Sequence, residues 1–234
     1  MTNIVMVVKD RWRLTEQALE SLVQNTPAEL YTLTLVDDAS QDFRTRRLLA
    51  RFASAANVSL LRIETSAGVV ARAKNIGVAW SQQSFARGEW LYLSDNDVLF
   101  HPGWLPTLGV CARLSECFGY TLWGGQVHPF HHPLDSTYMS GPNGCVLKEH
   151  GVLDGPSWLM RWRTWKELRG LRRNCAPGTG QSEDAEFCAR LRSRGGRIGV
   201  VVPHVVIHTG VTNTSGEPIV GAELFPRVLG VLYE

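Results

Sequence analysis

The sequence predicts an α/β fold: a mostly parallel, twisted sheet with helices on both faces, continued by an irregular second half. Three observations predict it. Strand-like and helix-like segments alternate with short connections over the first hundred or so residues, the pattern of right-handed crossovers between parallel strands. Polar residues punctuate the ends of the strand-like segments, at Lys9 to Arg11, Asp37 with Asp38, and Asp95 with Asp97. In an open parallel sheet such ends form the ligand-binding edge. Beyond residue 120 the alternation loosens into a Pro-, His- and Gly-rich stretch.

Each element has a local reason. "NIVMVV" is a continuous β-branched run, as in a strand covered on both faces. "TEQALESLVQN" sets Ala18, Leu19, Leu22 and Val23 on one helical stripe, which Pro27 closes. "YTLTLV" is a strand ending at Asp37 and Asp38, "DFRTRRLLARFA" a helix, "VSLLRI" a strand and "VVARAKNIGVAWS" a helix. "WLYLS" is a strand that runs into Asp95-Asn96-Asp97. "YTLWGGQ" and "CVLK" read as short strands and "PSWLMRWRTWKELRG" as a helix. "SEDAEFCARLRSRGG" is a helix with Ser182 as its cap, acids in its first turn, arginines in its last and glycines at its stop. "RIGVVV" is a strand, followed by "PHVVIHTG" and a less regular tail. Residues 1–234 read as one domain, a nucleotide-binding-like half over 1–100 and a looser half over 101–234.

Bulk composition narrows the function. The 234 residues are 44% hydrophobic, enough for a large core, and 24 basic residues face 22 acidic ones. A net charge of +2 argues against a dedicated nucleic-acid binder. Cys111, Cys117, Cys145, Cys175 and Cys188 are odd in number and contain no C-x-x-C pair. Reduced, mostly buried thiols in a cytoplasmic protein are expected. The first residues lack the basic start and long apolar centre of a signal peptide, and no window reaches the roughly 20 apolar residues of a membrane span. A soluble, cytoplasmic protein is the expectation.

"YLSDNDVLFHPGWL" poses the chemical question. On an extended chain Asp95 and Asp97 point the same way, about 6–7 Å apart at Cα. Their repulsion is about 3 kcal/mol at an effective dielectric near 20. Protonation, a basic partner or a divalent cation relieves it; carboxylate oxygens favour Mg²⁺ or Mn²⁺, which also take phosphate oxygens. A plain polar turn before Pro102 is the alternative.

Together "NIVMVVKDRWRLTEQALESL", "LTLVDDAS", "SAGVVARAKNIGVA", "WLYLSDNDVLFHPGWL", "GQSEDAEFCARLRSRGGRIGVVV" and "HVVIHTG" resemble, in order and spacing over about residues 3–210, the family-2 glycosyltransferases with the GT-A fold. The resemblance implies metal-dependent transfer of a sugar from a nucleoside-diphosphate sugar, a UDP- or GDP-sugar, to an acceptor hydroxyl. It implies Val8 and Arg11 beside the base, Asp37 at the base edge, and Arg72 with Asn75 near the nucleotide. It also implies Asp97 as a direct metal ligand, Asp95 near ribose or metal, and His208 completing the metal site, with His204 a competitor. A mixed oxygen and imidazole shell favours Mn²⁺ over Mg²⁺. Asp184 matches the family's general base, and inversion follows if it acts so; a helix N-terminus beside it is expected to hold it ionised. The family's usual Thr-x-Asn-Arg start is replaced here by "VKDR".

Bland readings stand beside these. Asp37 also suits a turn carboxylate, and Glu183, Asp184 and Glu186 sit where a helix dipole wants acids. Trp158, Trp162, Trp165 and Leu168 fall on one helical stripe with arginines around it, so residues 157–173 could touch a membrane surface or simply face the core. His128, His131 and His132 read as part of an acceptor loop rather than a second metal site, and Trp104 and Trp123 as core or sugar-stacking rings. The acceptor is a glycan, a lipid-linked group or a small molecule. A sugar-phosphate nucleotidyltransferase is the competing enzyme class, but "VKDRWRLTEQ" lacks the glycines that grip a triphosphate. A retaining transferase, or a binding module that has lost catalysis, completes the alternatives.

Overall fold

The alternating pattern of the first hundred residues folds as one half of a large sheet. The computed structural model describes residues 1–126, 133–141, 144–172 and 182–209. Strand β1 (Thr2–Val8) is buried at every position, and its residues divide by parity. Ile4, Met6 and Val8 join one hydrophobic cluster, Val5 and Val7 the other. That division is what a period-two chain buried on both faces requires. Helices α1 (Trp12–Asn25), α2 (Phe43–Phe52) and α4 (Trp104–Ser115) cover the first face, through Ala18, Leu19, Leu22, Leu48, Leu49 and Leu108 among others. Helices α3 (Val70–Ser84), α5 (Trp162–Leu168) and α6 (Glu183–Arg192) cover the second.

The other strands are β2 (Tyr31–Asp38), β3 (Val58–Ile63), β4 (Trp90–Asp95), β5 (Val98–Phe100), β6 (Tyr120–Gly124), β7 (Pro133–Ser140), β8 (Val146–His150), β9 (Ser157–Arg161), β10 (Arg197–Val202) and β11 (Val206–His208). Nine form one sheet in the order β3-β2-β1-β4-β9-β6-β10-β8-β7; β5 and β11 make a separate two-stranded ribbon. In the large sheet β8 and β9 oppose the direction the others share. Helix α3 crosses β1 and β2 at Gly77, where a Cβ would stand 2.5 Å from Val36 Cγ2 and 2.7 Å from Val5 Cγ1.

The segment "PSWLMRWRTWKELRG" corrects the helix expected of it. Its first half is β9, wedged between β4 and β6 and hydrogen-bonded to both; only Trp162–Leu168 is helical. The 3.6-residue stripe misled because strand alternation and a following helix bury the same residues. Trp158, Trp162, Trp165 and Leu168 are all core. Among the described residues of 157–173 no apolar stripe is left for a membrane surface, so that expected contact is withdrawn. Trp104 and Trp123 are fully buried, their indole N–H groups donating to Thr26 and Ser115, so neither is a sugar platform. Cys111, Cys145 and Cys188 are buried and Cys117 is exposed. Cys175, His128, His131 and His132 lie outside the described residues. No helix among the described residues is long and apolar enough to cross a membrane.

Candidate functional site

Parallel register brings the polar strand ends together. Val8 pairs with Asp37, Val7 with Asp95, and Asp37 with Arg62, so β1, β2, β3 and β4 end side by side. The chain leaves β1 through two left-handed residues, Asp10 (φ 53°) and Arg11 (φ 57°), a conformation that costs non-glycine residues about 1–2 kcal/mol each. The Asp10 carboxylate holds the turn by accepting the N–H groups of Gln41 and Asp42, each at 2.8 Å, while its own N–H donates to Ser40 Oγ. That turn directs the Arg11 guanidinium onto Asp97, Nη1 to Oδ2 at 2.8 Å.

Asn96 separates the two aspartates by facing the other way, its amide donating to Thr15 Oγ1 on the first turn of α1 at 2.7 Å. Each acid then meets its own cation. Asp95 Oδ1 pairs with Lys74 Nζ at 2.8 Å. Asp97, only 4% exposed, pairs with Arg11 and, through Oδ1, with His208 Nε2 at 3.1 Å. His208 arrives there because β11 runs antiparallel to β5 with His208 opposite Val98, the residue after Asp97. The Thr209 N–H and hydroxyl both donate to the Asp97 carbonyl and secure the pairing. Burial opposes ionisation of Asp97, yet His208 and Arg11 hold its carboxyl below the ordinary range. Burial also pushes His208 down, but Asp97, Asp95 and Asp154 leave it raised overall. Of the two candidate histidines it is His208 that pairs with Asp97; His204 is pushed down by burial and by the Lys148 charge.

Lys74 was not singled out from sequence, and it is the centre of the arrangement. It is 3% exposed, points from α3 to the sheet edge, and donates to the Gly155 carbonyl at 2.9 Å as well as to Asp95. The Gly155 N–H donates to Asp184 Oδ2 at 3.1 Å. A Cβ at Gly155 would lie 2.8 Å from Asp184 Oδ1 and 2.9 Å from Lys74 Nζ. The glycine is therefore the spacer that lets the acid and the lysine approach. Burial drives Lys74 towards neutrality, but Asp95, Asp184 and Glu183 together hold it above its ordinary value.

Asp184 sits in the first turn of α6, whose Ser182 cap accepts the Ala185 N–H. The helix N-terminus is expected to hold Asp184 ionised, and the surroundings of the carboxyl work against it. Burial of the carboxyl, with Glu183 and Asp95 adding to it, outweighs Lys74 and the Gly155 N–H and pushes Asp184 up to about 7.

The remaining expected positions are placed as follows. Val8 is a fully buried core side chain, so only its backbone reaches the edge. Asp37 is 0% exposed; Oδ1 accepts the Ser40 N–H at 2.9 Å and Oδ2 meets Arg62 Nε at 2.9 Å. These contacts describe a turn carboxylate whose two oxygens are both engaged within the chain. Arg72 is exposed on the first turn of α3. Asn75 faces away from the acids and brackets the Leu171 backbone, accepting its N–H and donating to its carbonyl.

Asp97 and His208 are the two groups that could share a divalent ion. An ion about 2.1 Å from two adjacent ligands needs donor atoms about 3 Å apart, and Asp97 Oδ1 and His208 Nε2 stand at 3.1 Å. Among the described residues no third acidic, histidine or cysteine side chain groups with them. Asp95, expected as a possible ligand, is instead turned to Lys74. Water or phosphate oxygens would have to complete the shell.

Residues 3–108 match the model of Glycosyl transferase family 2. No curated protein matches the sequence. Among solved structures, S. aureus TarS 1-349 in complex with UDP-GlcNAc superposes with a TM-score of 0.62 at 16% identity, over 88% of this chain and 57% of that one. The mannosyltransferase PcManGT from Pyrobaculum calidifontis, in complex with GDP-Man and Mn²⁺, gives 0.60 at 15% identity, over 85% and 56%. GalNAc-T7 with UDP, GalNAc and Mn²⁺ gives 0.70 at 16% identity, over 99% and 48%. The chain therefore spans less than two thirds of the length of each, and what it shares with them is the fold.

Proposed function

We propose that this family-2-like glycosyltransferase with the GT-A fold moves a sugar from a nucleoside-diphosphate sugar to an acceptor hydroxyl, with inversion at the anomeric carbon. The observation that carries this reading is the pairing of Asp97 with His208 one strand end away from the Lys74–Gly155–Asp184 relay. That proximity supports a reading in which a group that stabilises the diphosphate and a base act from one edge. The donors bound by the fold's relatives, UDP-GlcNAc and GDP-Man, support a nucleotide-sugar donor, and the Mn²⁺ in two of those structures supports a divalent ion.

Asp97 and His208 would hold the ion, with Mn²⁺ favoured over Mg²⁺ by the imidazole. When bound, it supplies positive charge to the departing diphosphate. Arg11, already on Asp97, adds a fixed guanidinium beside the same charge. Asp95, held by Lys74 and 29% exposed at its side chain, is placed to accept from a ribose or sugar hydroxyl. Asp184 takes the proton of the acceptor hydroxyl as that oxygen attacks the sugar, and a carboxyl titrating near 7 suits such a base. The acceptor itself, whether glycan, lipid-linked or small molecule, is left to the looser second half of the chain.

A thermal-shift panel of UDP-, GDP- and dTDP-sugars with and without Mn²⁺ tests the reading. One nucleotide class should stabilise the protein only when the metal is present, and proton NMR of the product should show the inverted anomer. A panel in which no nucleotide sugar gives a metal-dependent shift contradicts it.

A further inference from the structure

Helix α2 has a face the site does not use. Its ten residues hold Arg44, Arg46, Arg47 and Arg51 and no acid, a net +4 within a chain whose total is +2. Thr45, Leu48 and Leu49 are buried. Phe43, Arg46, Arg47 and Ala50, spaced i, i+3, i+4 and i+7, form the opposite, exposed stripe. Phe43 is 67% exposed, the largest value among the described large hydrophobics. Arg44 is neutralised by Asp42, and Arg51 by Glu16 and Glu20. Arg46 and Arg47 make no ion pair among the described residues; Arg46 acts on Asp42 only at longer range and donates to the Gln41 carbonyl.

The stripe is rigidly mounted beside the ligand edge. The Gln41 and Asp42 N–H groups bind Asp10, Asp42 caps α2 by accepting the Arg44 N–H, and Arg44 lies 5.3 Å from the centre of the Trp12 ring. Trp12 also receives Arg13 at 5.3 Å. An exposed aromatic ring followed by two exposed guanidiniums outside any close ion pair, on one helix face, is complementary to a surface that offers hydrocarbon beneath negative headgroups. A soluble polyanion would engage the arginines and leave Phe43 unused.

We infer that the Phe43–Arg46–Arg47 face of α2 docks on an anionic lipid bilayer, the ring entering the interface and the two guanidiniums lying among the headgroups. The surface replaces the 157–173 segment, whose tryptophans are core, and its geometry sets the ligand edge next to the bilayer. It does not depend on the transfer reaction, because docking is read without donor or acceptor.

Co-sedimentation of the whole chain with vesicles decides it. Binding to phosphatidylcholine vesicles containing about one third phosphatidylglycerol should exceed binding to phosphatidylcholine alone by about tenfold or more. Phe43→Ser should weaken it by about tenfold, and Arg46→Glu with Arg47→Glu should remove the preference for the anionic vesicles. All three positions are exposed, so the fold survives, which circular dichroism verifies. Equal partition onto both vesicles overturns the inference. So does anionic binding that Phe43→Ser leaves untouched, or binding of inorganic polyphosphate without any binding of vesicles.

Discussion

His208 Nε2 stands 3.1 Å from Asp97 Oδ1 because a three-residue ribbon, β5 with β11, sets His208 opposite Val98. Two donors about a hundred residues apart in sequence thus become neighbours through backbone pairing rather than through a loop. The two aspartates of the strand end are relieved separately, Asp95 by Lys74 and Asp97 by Arg11 and His208.

Replacing the base isolates its role. Asp184→Asn keeps the donor groups in place and should lower turnover by about two to four orders of magnitude while leaving donor affinity within about twofold. Steady-state kinetics beside donor titration measure both; turnover like that of the parent removes Asp184 from the mechanism.

The acid limb of the pH profile follows from the same residue. Burial raises Asp184 to about 7, and only its deprotonated form accepts a proton. kcat/KM should therefore fall about tenfold per pH unit below that value and level off above it. The sign for stability is opposite: the raised folded pKa favours the native state at pH below the ordinary carboxylate value, and this advantage is lost as pH rises through about 7. A flat rate between pH 5 and 7 would be incompatible with this base.

Lys74→Met should both destabilise and shift. The change leaves Asp95 and the Gly155 carbonyl without their buried cation and should cost about 3–5 kcal/mol by denaturant unfolding. Because Lys74 opposes the rise of Asp184, its loss should move the acid limb to higher pH. Lys74→Met with an unmoved profile would limit the lysine to a structural part.

Gly155→Ala tests the spacer. The new methyl would fall within 3 Å of Asp184 Oδ1 and Lys74 Nζ, so turnover in steady-state assays should drop about a hundredfold, and donor affinity should weaken as Lys74 is pushed from Asp95.

Much of this was legible in the sequence for physical reasons that differ by element. β1, β2 and β4 announce themselves as apolar runs, and α6 through its Ser182 cap and charge order. Asp95 and Asp97 stand out because an apolar strand ends on them, whereas Asp184 and His208 are singled out only by the family resemblance. Lys74 was passed over, although a signal existed: it lies on the stripe with Ala71, Gly77, Val78 and Ser81 that α3 buries, and a lysine there demands an acid partner. β9 looks helical in the sequence because a strand followed directly by a helix reproduces a helical stripe of tryptophans. Asp37 and Asn75 show the limit of motif matching, since spacing finds such residues but not the Arg62 and Leu171 groups they engage.

The central claim is that Asp97 and His208 hold a divalent ion that the donor diphosphate shares. Calorimetric titration of the nucleotide sugar, with and without Mn²⁺, on the parent chain, Asp97→Asn and His208→Ala measures it directly. The parent should bind the donor about a hundredfold more tightly with Mn²⁺, and both variants should lose that gain. Donor affinity that is indifferent to Mn²⁺ in the parent, or a metal effect that survives in Asp97→Asn, would contradict it.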